Sequence, residues 1–400
     1  MTEINMMKIT HPNGKLWPRV VVGAAVAVVA ALAPGGEATA GPVQSFETFA
    51  TGLDNPRGLA FAPNGRLLVA EAGRGGANST IGLCEQMPPP LGPVTGGPTG
   101  RVSVINRHGV RRTFNDGLTS GLTTPETGSE VVGPEEVLYR HGVPYVLVQG
   151  GGCSTGNPAD EPKGIYRIKA NGTRTLIADL GAWFAANPTA GPQDDDRAPD
   201  GVPTDAIVVG NNFYVLEGNH AQLVKVRLNG TITRIADLSL IGQLTYTALD
   251  HGPDGNFYVA TLGELPHTDG EAHLFRITPD GEVTHVLTGL TTVIDIRFDW
   301  AGRLYLLEAS TGNTPQPPFL VPGSGRVLRL TDEGLEVVAE GLTFPTGMAF
   351  GPDGDLYVSN YGFGVGPLGG VGEIVRIDVH GHARPFAQPE HPQFMEIPEA

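Results

Sequence analysis

Apolar and polar positions in this chain fall into short runs, and the runs repeat. Leu59-Ala60-Phe61 leads through Pro63-Asn64-Gly65 to Leu67-Leu68-Val69, and far along the chain Met348-Ala349-Phe350 leads through Pro352-Asp353-Gly354 to Leu356-Tyr357-Val358. Further copies fall at residues 206–217, 249–261 and 294–308, with a more diverged one at 133–149. Each copy predicts two short strands around a tight turn. Pro presets φ in the turn, Gly accepts a positive φ, and β-branched and aromatic residues suit a packed strand. A second hairpin follows every copy, turning at Gly109, Asn171-Gly172, Asn229-Gly230, Asp280-Gly281, Glu333-Gly334 and His380-Gly381, as hairpin turns demand.

The unit is therefore four antiparallel strands, occurring six times. One such sheet has two bare edges and cannot bury both faces alone; stacking the units radially buries them. The expected fold is all-β, a six-bladed β-propeller of four-stranded antiparallel blades. It forms one domain over residues 41–400, with blades starting near 57, 135, 204, 247, 294 and 346. Two segments could supply the strand that closes the ring: Phe46-Glu47-Thr48-Phe49-Ala50 and Ala383-Arg384-Pro385-Phe386-Ala387. The sequence leaves that choice open.

Composition agrees with this architecture. Among 400 residues, 57 Gly and 34 Pro break the chain into short elements, and 40% apolar residues suffice for a core. A formal net charge of -16 argues against nucleic acid and anionic membranes as partners. Residues 1–40 read as a secretory leader. Lys8, Lys15 and Arg19 precede an apolar run over residues 20–33, and Ala38-Thr39-Ala40 carries the small residues a signal peptidase reads. Cleavage after Ala40 gives a secreted, extracellular or periplasmic monomer with no membrane association; an uncleaved anchor is the alternative.

In a propeller, the connections from second to third strand share one face with those from each outer strand to the next blade. The long connections, at 72–100, 115–133, 150–163, 181–203, 262–272, 310–325 and 361–372, all fall on that face, and long loops in a compact fold commonly carry function. Cys84 and Cys153 lie in the first two second-to-third connections, in adjacent blades. A disulfide between them is expected in an exported protein.

Inner strands begin, and second strands end, at the axial mouth on the same face. The beginnings are Arg57, Glu135 or Glu136, Thr204-Asp205, Thr247, Asp295 and Thr346; the ends are Glu71, Gln149, Glu217, Thr261, Glu308 and Asn360. Glu71, Glu217, Glu308, Asp205 and Asp295 are candidate oxygen ligands for a hard cation such as Ca2+, and carboxylates there can act as general bases where burial raises their pKa. Arg57, Glu135, Gln149, His220 and Asn360 are candidate ligand-binding residues. The plainer alternative is that Arg57 pairs with its acidic neighbours and the ring only satisfies polar groups. Asp194-Asp195-Asp196, with Asp200, lacks calcium-loop spacing and reads as a solvated acidic loop. His251 falls beside a turn on the opposite face. No nucleophile elbow, phosphate loop or zinc-protease motif occurs.

The first repeat carries a resemblance. Leu53-Asp54-Asn55-Pro56-Arg57-Gly58, Val69-Ala70-Glu71-Ala72-Gly73-Arg74-Gly75-Gly76, Cys84 and Gly97-Pro98-Thr99-Gly100-Arg101-Val102 resemble the ScyD/ScyE family of the scytonemin gene cluster. The likeness extends to Gly252-Pro253-Asp254-Gly255 and Tyr258-Val259-Ala260-Thr261-Leu262-Gly263. It implies an exported propeller of the broad NHL-like and gluconolactonase-like type, and no catalytic residues. Metal-dependent lactonase propellers are more distant: Asn55-Pro56-Arg57-Gly58 stands where a Glu-Gly-Pro opening of their kind would be expected.

Two function classes follow. The first is a binding or scaffold module that grips a small molecule or a protein with its loop face. The second is a calcium-dependent lactonase, hydrolase or lyase with its site at the axial mouth. Whether the chain is an enzyme is left open; binding is preferred because no catalytic constellation is visible.

Overall fold

Strand repeats become blades because each turn brings two apolar runs into register. The computed structural model describes residues 43–191, 198–242, 244–316, 319–363 and 371–380. The leader and its cleavage point, Asp194 to Asp196, and Ala383 to Ala387 lie outside the described residues. Six antiparallel sheets form a six-bladed β-propeller. Its inner strands are Pro56–Phe61, Pro134–Arg140, Pro203–Val209, Tyr246–His251, Val293–Phe298 and Gly347–Phe350. Among the described residues no helix is long and apolar enough to cross a membrane.

The ring closes through the N-terminal segment. Phe46–Leu53 is the outer strand of the last blade, pairing antiparallel with Gly372–Ile377 so that Phe46 faces Ile377 and Leu53 faces Gly372. The blade that ends the chain thus takes its outer edge from the segment that precedes the first blade.

Apolar side chains pack at every seam. Leu138, Leu147, Phe213 and Val215 fill the seam between the second and third blades, and Leu307, Val327, Met348 and Val358 the seam between the fifth and sixth. Leu59, Val69, Tyr357 and Ile374 join the last blade to the first. These side chains are almost wholly removed from water, which is the main term holding such a ring together.

Two expected loops are partly strand. Residues 95–100 and 115–122 belong to Thr95–Ile105 and Arg111–Leu122, where Thr95 pairs with Leu122, and Val131–Val132 adds a fifth strand to the first blade. The run Thr95-Gly96-Gly97-Pro98-Thr99-Gly100 reads as loop by composition. Here its glycine serves close approach: a Cβ on Gly96 would collide with the carbonyl of Gly156 in the next blade's loop. The expected loop at 181–203 contains most of a short helix, Leu180–Ala186, capped by Asp179, whose carboxylate accepts the Ala182 N–H at 2.8 Å.

The expected disulfide is present. Cys84 and Cys153 are bridged with Cα atoms 6.2 Å apart, tying the first long loop to the loop of the second blade. Beside it Thr80 donates its hydroxyl to the Cys153 carbonyl at 2.5 Å. Met87 and Val94 of the same loop pack with Ala198.

Candidate functional site

The inner strands enter the axis through a recurring irregularity. Register shifts occur at the start of five of them, between Pro56 and Leu59, Pro134 and Glu136, Pro203 and Asp205, Tyr246 and Ala248, and Val293 and Asp295. An extra residue there breaks the strict alternation of faces. As a result adjacent residues line the axial cavity together: Glu135 with Glu136, Thr204 with Asp205, Ile294 with Asp295. The sequence offered Glu135 or Glu136 as alternatives, and both face the mouth.

The cavity holds about 250 Å³. Its walls come from the long loops: Met87 and Leu91 of the first, Leu262 and Leu265 of the fourth blade, Phe319 and Leu320 of the fifth, Phe363 of the sixth. Its base is acidic, with Glu136, Asp205 and Asp295. Glu135 and Glu130 stand beside Arg57 on one wall.

Arg57 is buried. Its guanidinium lies 3.5 Å from Glu135 and donates to the carbonyls of Gly362 and Val131. The motif around it now has a physical reading. Asn55 adopts a positive φ of 52° and donates its side-chain amide to the Gly73 carbonyl at 2.8 Å. Gly58 leaves room for a side chain of the next blade, since a Cβ there would collide with the Glu136 carboxylate.

Beneath the cavity base lies Arg297, two positions along the strand from Asp295. It approaches Asp295 at 2.7 Å, Glu136 at 3.3 Å and Asp205 at 3.5 Å. The acidic side chains also stitch inner strands together. Asp205 accepts the Leu249 N–H, Asp250 the Phe298 N–H and Asp295 the Met348 N–H, each at 2.7 Å and each from the next blade.

Burial dominates the titration of this group. It lifts Asp205 to about 6, Glu135 to about 7 and Asp295 to about 8, and Glu136 well above the carboxyl range, against the opposing pull of Arg57 or Arg297. Glu130 and Asp250 are raised by the same cause. The base of the cavity therefore holds protons near neutrality, and such carboxyls can donate or accept one.

The expected site residues divide. Arg57, Glu135, Gln149, Asp205 and Asp295 line the cavity. Glu71, Glu217, Glu308, Asn360 and His220 do not join them. Glu71 accepts the Asp54 N–H at 2.7 Å and is held by Arg101, Arg111 and Ser103 within its own blade. Glu217 accepts the backbone N–H of Val202, Asn219 and His220, and the His220 ring lies 3.6 Å from it. Glu308 accepts the Thr291 N–H at 2.7 Å and pairs with Arg326. Asn360 accepts the Thr343 N–H and donates to Glu373. In each case the last residue of the second strand braces the segment that leads into its blade's inner strand. The five carboxylates expected to share a cation are thus split between the axis and the blades. Asp200 is engaged as well, by buried Lys163 and by Ser154, both at 2.7 Å.

A calcium cage of carboxylates does not fit the axis. Among the described residues, the one group of three or more His, Cys, Asp and Glu side chains with ligand atoms all within 4.8 Å of one another is Asp355, Asp378 and His380, on the short-turn face. At the axis a guanidinium already holds three of the carboxylates.

Arg297, Asp250 and Glu130 are what the sequence reading missed. Arg297 had a signal: in Val293-Ile294-Asp295-Ile296-Arg297 the polar positions alternate, so Arg297 shares a face with Asp295. Glu130 sits in a loop and had none.

The chain matches no protein-family model, and no curated protein matches it in sequence. Solved structures do match in fold. A protein named as an oxidoreductase (glucose dehydrogenase) from Thermus thermophilus is similar at 15% identity and TM-score 0.53, over 84% of this chain and 99% of that one. A gluconolactonase from Xanthomonas campestris is similar at 13% identity and TM-score 0.51, over 83% and 89%. Regucalcin, a calcium-binding protein from Agrobacterium tumefaciens, is similar at 12% identity and TM-score 0.51, over 86% and 96%. At such identities the likeness is one of fold, the six-bladed β-propeller.

Proposed function

We propose that this chain is a secreted, monomeric propeller of ScyD/ScyE type that binds a small molecule in its axial pocket. The observation that carries this reading is the cavity itself, about 250 Å³ with an apolar collar and an acidic base, the shape and chemistry of a small-molecule site. Export is supported by the leader-like N-terminus and by the Cys84–Cys153 bridge. The monomeric reading is supported by a last blade whose outer edge is filled from within the chain. The net charge of -16 speaks against a nucleic-acid partner.

A second reading is favoured by one specific observation. Glu135 and Asp295 hold protons near neutrality inside the cavity. One such carboxyl can protonate a leaving oxygen while a neighbouring carboxylate takes a proton from water, which is the chemistry of a lactonase, hydrolase or lyase. A calcium-dependent form of it retains in the cavity Asp205 and Asp295 of the five ligands expected.

A panel of sugar lactones, aryl esters and phenolic compounds separates the readings, scored by thermal shift and by turnover with and without chelator. Binding without turnover is the expected outcome. Chelator-resistant turnover would favour the acid–base reading, and no binding by any compound would contradict both.

A further inference from the structure

Four carboxylates converge at the base of the axial pocket: Glu136, Asp205 and Asp295 lie within 3.5 Å of the Arg297 guanidinium, and Asp250 acts on it from further away. They come from the second, third, fourth and fifth blades. Arg297 is fixed in turn by donating to the carbonyls of Leu249 and Met348, in the blades on either side of its own, at 3.1 and 3.2 Å. We infer that Arg297 is the resident cation of the axis, in the position a divalent ion would take, so that the pocket binds its ligand without metal.

Three features support this. The guanidinium is planar and always charged, and several carboxylates can share it. Asp205, Asp250 and Asp295 each commit an oxygen to a backbone N–H of the next blade, and a chelated ion would have to compete for those lone pairs. Gly58 gives Glu136 the space to reach Arg297 from across the axis. The inference rests on the axial pocket being the working site, and its test reads metal rather than ligand, so the two can fail separately.

The test follows melting of the purified protein in EGTA and in millimolar CaCl2, for wild type, Arg297→Gln, Arg297→Lys, Asp295→Asn and Asp378→Asn. In wild type, calcium is expected to shift melting by about 1 °C or less, because nothing that binds the folded state is gained. Arg297→Gln is expected to melt several degrees lower in EGTA and to recover part of that loss in calcium, whereas Arg297→Lys stays insensitive to calcium. A calcium shift of several degrees in wild type that Asp295→Asn abolishes would overturn the inference. A shift abolished by Asp378→Asn and retained by Asp295→Asn puts the ion on the opposite face and upholds it. Arg297→Gln melting like wild type in EGTA would also overturn it. If that variant does not fold, the wild-type and Asp295→Asn comparison decides alone.

Discussion

Arg297 Nη1 lies 2.7 Å from Asp295 Oδ1, and the two residues are neighbours on the axial face of one strand. This pair ties the cavity base to the ring's stability. Arg297→Met should cost about 3–5 kcal/mol at pH 8, because it leaves buried carboxylates without their cation. The loss should shrink at pH 5, where those carboxyls take up protons instead. Urea denaturation at the two pH values checks both statements.

The same burial sets a pH dependence of definite sign. Asp205, Glu135 and Asp295 are raised to about 6, 7 and 8. Between about pH 4 and pH 8 the folded chain keeps protons that the unfolded chain has released, so their effect is to lower stability as pH rises through that window. Calorimetry should find melting several degrees higher at pH 5 than at pH 8. Asp295→Asn should flatten that slope and raise the melting temperature at pH 8. A wild-type melting temperature that climbs from pH 5 to pH 8 would contradict the assignment.

Much of the fold was legible because turn chemistry is local. Pro-Asn-Gly at 63–65 and Pro-Asp-Gly at 253–255 and 352–354 mark hairpins whatever surrounds them. The cysteine pairing followed from strand order, which puts the two loops in adjacent blades, and from there being two cysteines in a chain that reads as exported. The site was only half legible, because it depends on which way each side chain leaves its strand. Period-two counting cannot foresee a bulge, so it could not tell that Glu135 and Glu136 both face the cavity. Nor could it tell that Glu71, Glu217 and Glu308 turn toward their own blades: arginines at 101, 111 and 326 on outer strands of the same blades hold two of them, and backbone amides hold the third. The strand at Thr95–Ile105 was hidden because its glycines serve packing while reading as loop.

Glu71 and Glu135 should therefore behave oppositely when changed. Glu71→Ala removes a buried partner of two arginines and should cost about 3 kcal/mol or more, with ligand affinity retained. Glu135→Gln removes a buried carboxyl that burial already keeps partly protonated at pH 7, and should leave stability within about 1 kcal/mol at that pH. Chemical denaturation of both variants, paired with ligand titration, checks the contrast.

Breaking the Cys84–Cys153 bridge frees a loop closed over 69 residues. Chain-entropy reasoning gives up to about 4 kcal/mol of lost stability. The effect should reach the pocket too, since Met87 and Leu91 of the tethered loop form part of its wall. Cys84→Ser with Cys153→Ser is expected to melt lower and to bind pocket ligands more weakly. Limited proteolysis should cut first within residues 73–94.

The most direct measurement is a calorimetric titration of the tightest ligand from the small-molecule panel into wild type, Glu135→Gln and Asp378→Asn. An axial pocket predicts about a tenfold loss of affinity in Glu135→Gln, near 1.4 kcal/mol, and none in Asp378→Asn on the far face. Equal affinity in wild type and Glu135→Gln, with a loss in Asp378→Asn, would place binding elsewhere and contradict the account.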